Sequence, residues 1–193
     1  MSYISFQPHD YFNTVTYTGN GGNQTISTVG FQPDFVWFKS RDAGNSHAIV
    51  DSVLGTNKVL YADTSSPEQS ISSQTFNSNG YALVQDSGAN SINSNGSTKV
   101  AWNWKMGTTS GLSGGGITPS GYSISATAKQ SIIKFTGTGS AATLPHGLSS
   151  TPSAIIVKNA SVNNNWNVYH QSMGNTHRLF LDTTQAKEDN ASA

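Results

Sequence analysis

Apolar residues along the chain come in short bursts separated by polar turns. Asn13-Thr14-Val15-Thr16-Tyr17-Thr18 is β-branched and alternates, and Gly19-Asn20-Gly21-Gly22 then breaks it. Phe35-Val36-Trp37-Phe38-Lys39 is a continuous apolar run, the pattern of a strand covered on both faces. Pro33 sits just ahead of it, where a missing N–H costs least. Further strands are expected over 47–53, 58–63, 80–85 and 98–105. The segments Ala43-Gly44-Asn45, Gly55-Thr56-Asn57, Asn77-Ser78-Asn79-Gly80 and Asn93-Ser94-Asn95-Gly96 tolerate positive φ and read as hairpin or loop connections. A helical period is nearly absent. Short strands spaced by roughly 8–12 residues predict an all-β chain, an antiparallel β-sandwich or jelly roll.

Sliding the chain along itself exposes a duplication. Val15-Thr16-Tyr17-Thr18-Gly19 aligns with Ile133-Lys134-Phe135-Thr136-Gly137 at an offset of 118. The offset then becomes 119: Pro33 meets Pro152, Lys39 meets Lys158, Asn45 meets Asn164, Gly55 meets Gly174, Leu60 meets Leu179, and Asp63-Thr64 meets Asp182-Thr183. Apolar runs precede both lysines, Phe35-Val36-Trp37-Phe38 and Ala154-Ile155-Ile156-Val157. The expected organisation is an N-terminal arm over 1–12, a first β-sandwich unit over 13–106, a flexible Gly/Ser-rich linker over 107–121 and a second β-sandwich unit over 122–193. The second copy is truncated relative to the first: it has no equivalents of the strands at 80–85 and 98–105. A sandwich short of two strands exposes an edge and part of its core. The chain is therefore expected to be a segment of a longer protein, or to be completed by a strand from a neighbouring chain; the former is preferred.

Composition narrows the function classes. Ser, Thr, Asn and Gly make up 86 of 193 residues, yet hydrophobic residues reach 35% and aromatics 10%, and their clustering argues for a packed fold over disorder. Only 10% of residues are charged, with 10 basic and 10 acidic side chains. With no basic excess to neutralise phosphates, no nucleic-acid partner is expected. No apolar run is long enough to span a membrane, and Met1-Ser2-Tyr3-Ile4-Ser5-Phe6 lacks the marks of a leader. The absence of cysteine removes disulfides and thiolate metal sites.

Several stretches carry a family resemblance. Tyr11-Phe12-Asn13-Thr14, Tyr17-Thr18-Gly19-Asn20-Gly21, Val29 to Lys39 and Thr98-Lys99-Val100-Ala101-Trp102-Asn103-Trp104-Lys105 resemble a domain common in phage virion proteins. Phe135-Thr136-Gly137-Thr138-Gly139-Ser140, Pro145-His146-Gly147-Leu148, Ile155-Ile156-Val157-Lys158-Asn159 and Trp166-Asn167-Val168-Tyr169-His170 resemble its companion. The family is described as concanavalin A-like, a lectin- or glucanase-type jelly roll. It occurs in tail-fibre, head-fibre and other structural proteins of tailed phages, especially those of marine bacteria and cyanobacteria. The resemblance implies a non-enzymatic virion structural protein, assembled in the host cytoplasm. It would be a capsid decoration, head-fibre or tail-fibre module with other phage structural proteins as partners. It also implies a homo-oligomer, often a trimer in phage appendages. The alternative it carries is an adhesin for host surface polysaccharide, a likeness of fold and not of a site.

Candidate chemistry is sparse. A jelly-roll glucanase needs two acids alternating on one strand, about 5–5.5 Å apart for retention. No strand here carries two Glu, and no Glu-x-Asp pattern exists. His9, His47, His146, His170 and His177 lack metal-site spacing, and Asp42, Asn45 and Asp51 are too dispersed for a calcium loop. No catalytic residue, metal site or cofactor is expected. Period two puts Trp102 and Trp104 on one face of a strand. A sandwich core is the ordinary reading of that face, and a sugar-stacking platform the sharper one. Trp37, inside an apolar run, reads as core. Asn163, Asn164, Asn165 and Trp166 form the candidate glycan site, amides beside an aromatic in a loop; otherwise Trp166 is the first core residue of the strand that follows.

Overall fold

The computed structural model describes residues 7–72, 74–84 and 92–189. Fifteen strands run through them: β1 (Phe12–Thr18), β2 (Gln24–Ile26), β3 (Phe35–Ser40), β4 (Ala48–Asp51), β5 (Lys58–Tyr61), β6 (Gln69–Ser70), β7 (Thr75–Asn77), β8 (Gly80–Leu83), β9 (Thr98–Trp104), β10 (Gly121–Ser125), β11 (Gln130–Lys134), β12 (Ala154–Val157), β13 (Asn167–His170), β14 (His177–Phe180) and β15 (Glu188–Asp189). The only helical turns among the described residues are single 3-10 turns at Pro8–Asp10 and Gln171–Met173. None is long and apolar enough to cross a membrane. The first six residues of the expected arm and Gln85 of the 80–85 strand lie outside the described residues.

The first unit is a sandwich of two antiparallel sheets, ordered β1-β9-β3-β4-β5-β6 and β2-β8-β7. Strand alternation decides which residues fill it. Val15, Val36, Phe38, Ala48, Val50, Val59, Tyr61 and Ala101 point inward from the larger sheet and meet Tyr81 and Leu83 from the smaller one. Phe38 and Tyr81 pack edge to face across the gap, with ring centroids 5.4 Å apart. The turn between β7 and β8 requires glycine: Gly80 has φ of 150°, and a Cβ there would collide with the Ile26 carbonyl.

From β3 to β6 the first unit is repeated in the second at an offset of 119. In the first, Phe35 to Phe38 pair with Asp51 to Ala48; in the second, Ala154 to Val157 pair with His170 to Asn167. Ala48↔Tyr61 and Ile49↔Leu60 become Asn167↔Phe180 and Val168↔Leu179. Lys58↔Ser70 and Val59↔Gln69 become His177↔Asp189 and Arg178↔Glu188. The sheet β12-β13-β14-β15 is thus the counterpart of β3-β4-β5-β6. The counterpart of β1, β11, pairs instead with β10.

The expected flexible linker is a hydrogen-bonded segment. Thr108 bridges to Ile124, the Gly107 amide donates to Ser123 Oγ, and the Leu112 amide donates to Tyr122 Oη. The Gly116 and Ile117 amides both reach the Thr143 carbonyl. Gly107, Gly111, Gly114 and Gly115 take positive φ here, a conformation that glycine adopts at no steric cost.

Candidate functional site

The loop between β12 and β13 is tied down from both ends. Lys158, just past β12, donates from Nζ to the carbonyls of Asn164 (2.6 Å) and Ser65 (2.8 Å). Partial burial draws its ammonium below the usual lysine range, and the nearby Asp182 carboxylate opposes that shift. The Asn164 amide donates to the Ser65 carbonyl, and the Glu68 amide to the Ala160 carbonyl. Asp182 takes the Trp166 amide at 3.0 Å. The first unit holds its own loop in the same way: Lys39 Nζ reaches the Asn45 carbonyl at 2.9 Å, and Asp63 takes the His47 amide at 2.9 Å. The matched Lys, Asn and Asp of the duplication are therefore loop staples, a signal present in the sequence as residues repeating at one offset.

Trp166 is a peg between the units, not a surface platform. It is 6% exposed and packs on Ile49, Leu60 and Ala62 of the first unit, beside Trp37 and Leu54. Its Nε1 donates to the carbonyls of Tyr61 (2.9 Å) and Thr64 (3.2 Å). A sugar cannot stack on a ring in that position, so the candidate glycan site of Asn163, Asn164, Asn165 and Trp166 loses its aromatic. Asn163 and Asn164 remain exposed, and Asn165 is half-buried. The loop set Trp166 apart from His47 for a reason that sequence alone does not display: the partner surface is a sheet more than a hundred residues earlier.

Trp102 and Trp104 also differ from the core reading. On β9 the buried side carries Lys99, Ala101 and Asn103, while Trp102 and Trp104 stand half-exposed on the opposite face. On β3 the inward residues are Val36 and Phe38, which places Trp37 outward with Phe35. The outward aromatics form a row: Phe12 to Trp104 at 5.0 Å, Trp104 to Phe35 at 5.1 Å, and Trp37 to Trp102 at 6.3 Å. The run at 35–38 is thus covered on both faces, by the smaller sheet on one side and in part by the second unit on the other.

A cleft of about 640 Å³ opens where the linker leaves β9, lined by residues that include Asp34, Ser52, Lys105 and Tyr122. Asp34 works there as a clasp. Its Oδ1 accepts from Ser52 Oγ (2.9 Å) and Ser123 Oγ (2.8 Å), and its Oδ2 from the Met106 amide (2.9 Å). Asp51, beneath, accepts the amides of Val53 and Leu54. Burial raises its pKa most; these amides and Lys134 oppose that, and the Asp34 charge adds to it. Asp34 is committed to the junction, and Asp51 to the turn that follows β4. Among the described residues no group of three or more His, Asp or Glu could hold a metal ion. His146 Nδ1 accepts the Leu148 amide within its turn, and His170 and His177 bond neighbouring hydroxyls.

No curated protein and no solved structure matches the chain. A family model described as a domain of unknown function, DUF7483, matches residues 7–193, which take in both units and the segment between them. The chain belongs to the DUF7483 family.

Proposed function

We propose that the chain is a non-enzymatic structural module of a virus particle, a capsid decoration, head fibre or tail fibre that docks on other phage structural proteins. The observation that carries this is the junction. Trp166, Lys158 and Asp34 fasten two β units to one another through buried or charge-assisted bonds, which suits a rigid building block. The phage-domain resemblance of the strand motifs supplies the setting, and with it a homo-oligomeric, trimeric assembly. Antibodies against the chain should decorate purified particles in negative-stain micrographs. A chain present in infected lysates and missing from purified particles overturns the proposal.

A second reading, binding of host surface polysaccharide, draws on the outward row of Phe12, Trp102 and Trp104. Half-exposed aromatic faces on a sheet suit the apolar side of a pyranose. Trp102→Ala should then abolish retention on host polysaccharide while leaving the far-ultraviolet circular dichroism unchanged. Equal retention of the variant rejects it.

A further inference from the structure

The repeated register shows how the described residues of the second unit differ from the first. In the first unit β3 is flanked on both edges, by β4 and by β9, with Phe35↔Trp104, Val36↔Asn103, Trp37↔Trp102 and Phe38↔Ala101. Its counterpart β12 pairs only with β13 among the described residues. The free edge is apolar: Ile155, Ile156 and Val157 are 44%, 52% and 41% exposed. The core counterparts of Ile155 and Val157 are Val36 and Phe38, at 0% and 2%. Phe135, which matches the core-packed Tyr17, is likewise exposed. Three side chains that face a core in one copy face solvent in the other. An open, hydrophobic strand edge is a template for pairing.

We propose that the free edge of β12 is a docking site for an extended β-strand with the chemistry of β9. The first unit states the occupant. It runs antiparallel to β12, puts small or amide side chains at alternate positions beside Ile155 and Val157, as Asn103 and Ala101 do beside Val36 and Phe38, and sets an aromatic opposite Ile156, as Trp102 stands opposite Trp37. Such a strand supplies main-chain hydrogen bonds for affinity and alternate side chains for specificity. Its origin in a neighbouring structural polypeptide rests on the proposed virion role; the docking itself does not.

The test uses the isotopically labelled chain with a synthetic peptide copying residues 97–105. A second arm fuses the same nine-residue copy to the C-terminus through a Gly/Ser linker, which raises its effective concentration to the millimolar range. Protection of the outward-facing β12 amides from hydrogen exchange, with loss of bound hydrophobic dye, is expected in both arms. Scrambled peptide should do neither. Ile155→Lys with Val157→Lys, both at exposed positions, should remove the effect. Three results overturn the proposal: no change at β12 in either arm, shifts confined to β1 and β3 through exchange with the resident β9, or self-pairing of the chain through β12 that the peptide does not displace. A chain that takes up the strand yet is missing from purified particles retains the docking site and loses only the virion setting.

Discussion

Replacing Trp166 tests whether the two units form one block. The indole is 6% exposed and rests on Ile49, Leu60 and Ala62. A tryptophan buries on the order of 150–250 Å². At about 25 cal/mol per Å² that is roughly 4–6 kcal/mol of transfer free energy, an upper bound because the unfolded chain already shields some of it. Truncation of large aromatics to alanine costs about 3–5 kcal/mol, so Trp166→Ala should fall in that range. Trp166→Phe keeps most of the apolar contact and deletes the bonds to the Tyr61 and Thr64 carbonyls. At about 1 kcal/mol for each net hydrogen bond, it should cost roughly 1–2 kcal/mol. In a chain of this size each kcal/mol moves Tm by about 2–4 °C. Calorimetry should therefore show a fall of roughly 6–20 °C for the alanine variant, with the second unit melting ahead of the first, and a smaller fall for phenylalanine. A shift under about 2 °C for Trp166→Ala, or equal losses for the two variants, would refute the peg and return the ring to the surface.

Further outcomes follow from single contacts. Asp34→Ala frees the Met106 amide and two serine hydroxyls; it should cost about 2–3 kcal/mol in urea denaturation and open the segment 107–120 to proteolysis. Unchanged cleavage would deny Asp34 its role as a clasp. Asp42 accepts the Thr98 amide and the Ser97 hydroxyl, which hold its carboxyl below the ordinary value of 3.8. A depressed folded pKa gives stability that is full above 3.8 and lost as pH falls through the folded value. The stability gap between the native chain and Asp42→Asn should therefore close in acid, and a pH-independent gap contradicts the assignment. Gly80→Ala places a Cβ against the Ile26 carbonyl at φ of 150°, which should cost at least about 2 kcal/mol as a drop in the urea midpoint. Ala62→Leu crowds the seat under Trp166 and should destabilise by about 1–3 kcal/mol through overpacking; the same change made on Trp166→Ala should be nearly neutral, as a double-mutant cycle would read.

Much of the fold is written in period-two alternation. The strands expected at 13–18, 35–39, 47–53, 58–63 and 98–105 are all present within a few residues of their expected ends, because β-branched and aromatic runs between Gly and Asn turns have little else to form. Strands β2, β6 and β7 escape notice: Gln24–Ile26, Gln69–Ser70 and Thr75–Asn77 are two or three residues long and mostly polar. Which face of a strand meets the core is less legible. Lys99 and Asn103 point inward and Trp102 and Trp104 outward, the reverse of what hydrophobicity suggests. Lys99 lies 2% exposed and reaches Ser40 Oγ, so its burial depends on a partner strand that no local pattern names. Trp166 is legible as a core residue ahead of the strand that follows, and it is buried, but its contact with the first unit is not. Its neighbours Asn163, Asn164 and Asn165 mark a loop, but what the loop lands on is decided by tertiary contact.

The duplication makes the limit of sequence matching concrete. Paired positions 119 apart share backbone register throughout β3 to β6 and β12 to β15, yet their surroundings diverge. The staples Lys39 and Lys158, and Asp63 and Asp182, keep the tasks that lie within their own unit: each lysine holds a carbonyl six residues on, and each aspartate an amide sixteen residues back. The residues whose tasks are long-range have changed. His47 became Trp166, which reaches the first unit. Ala62, small enough to sit beneath that ring, became Leu181, 36% exposed. A leucine at the base of the seat would collide with an indole placed as Trp166 is placed on Ala62. The peg and its seat are therefore unequal partners. The second unit inserts into the first and does not offer the same seat in return, so this contact fixes one order of the two units and does not by itself propagate into an open stack. Among the described residues the edge of β12 is open, where the first unit holds a strand.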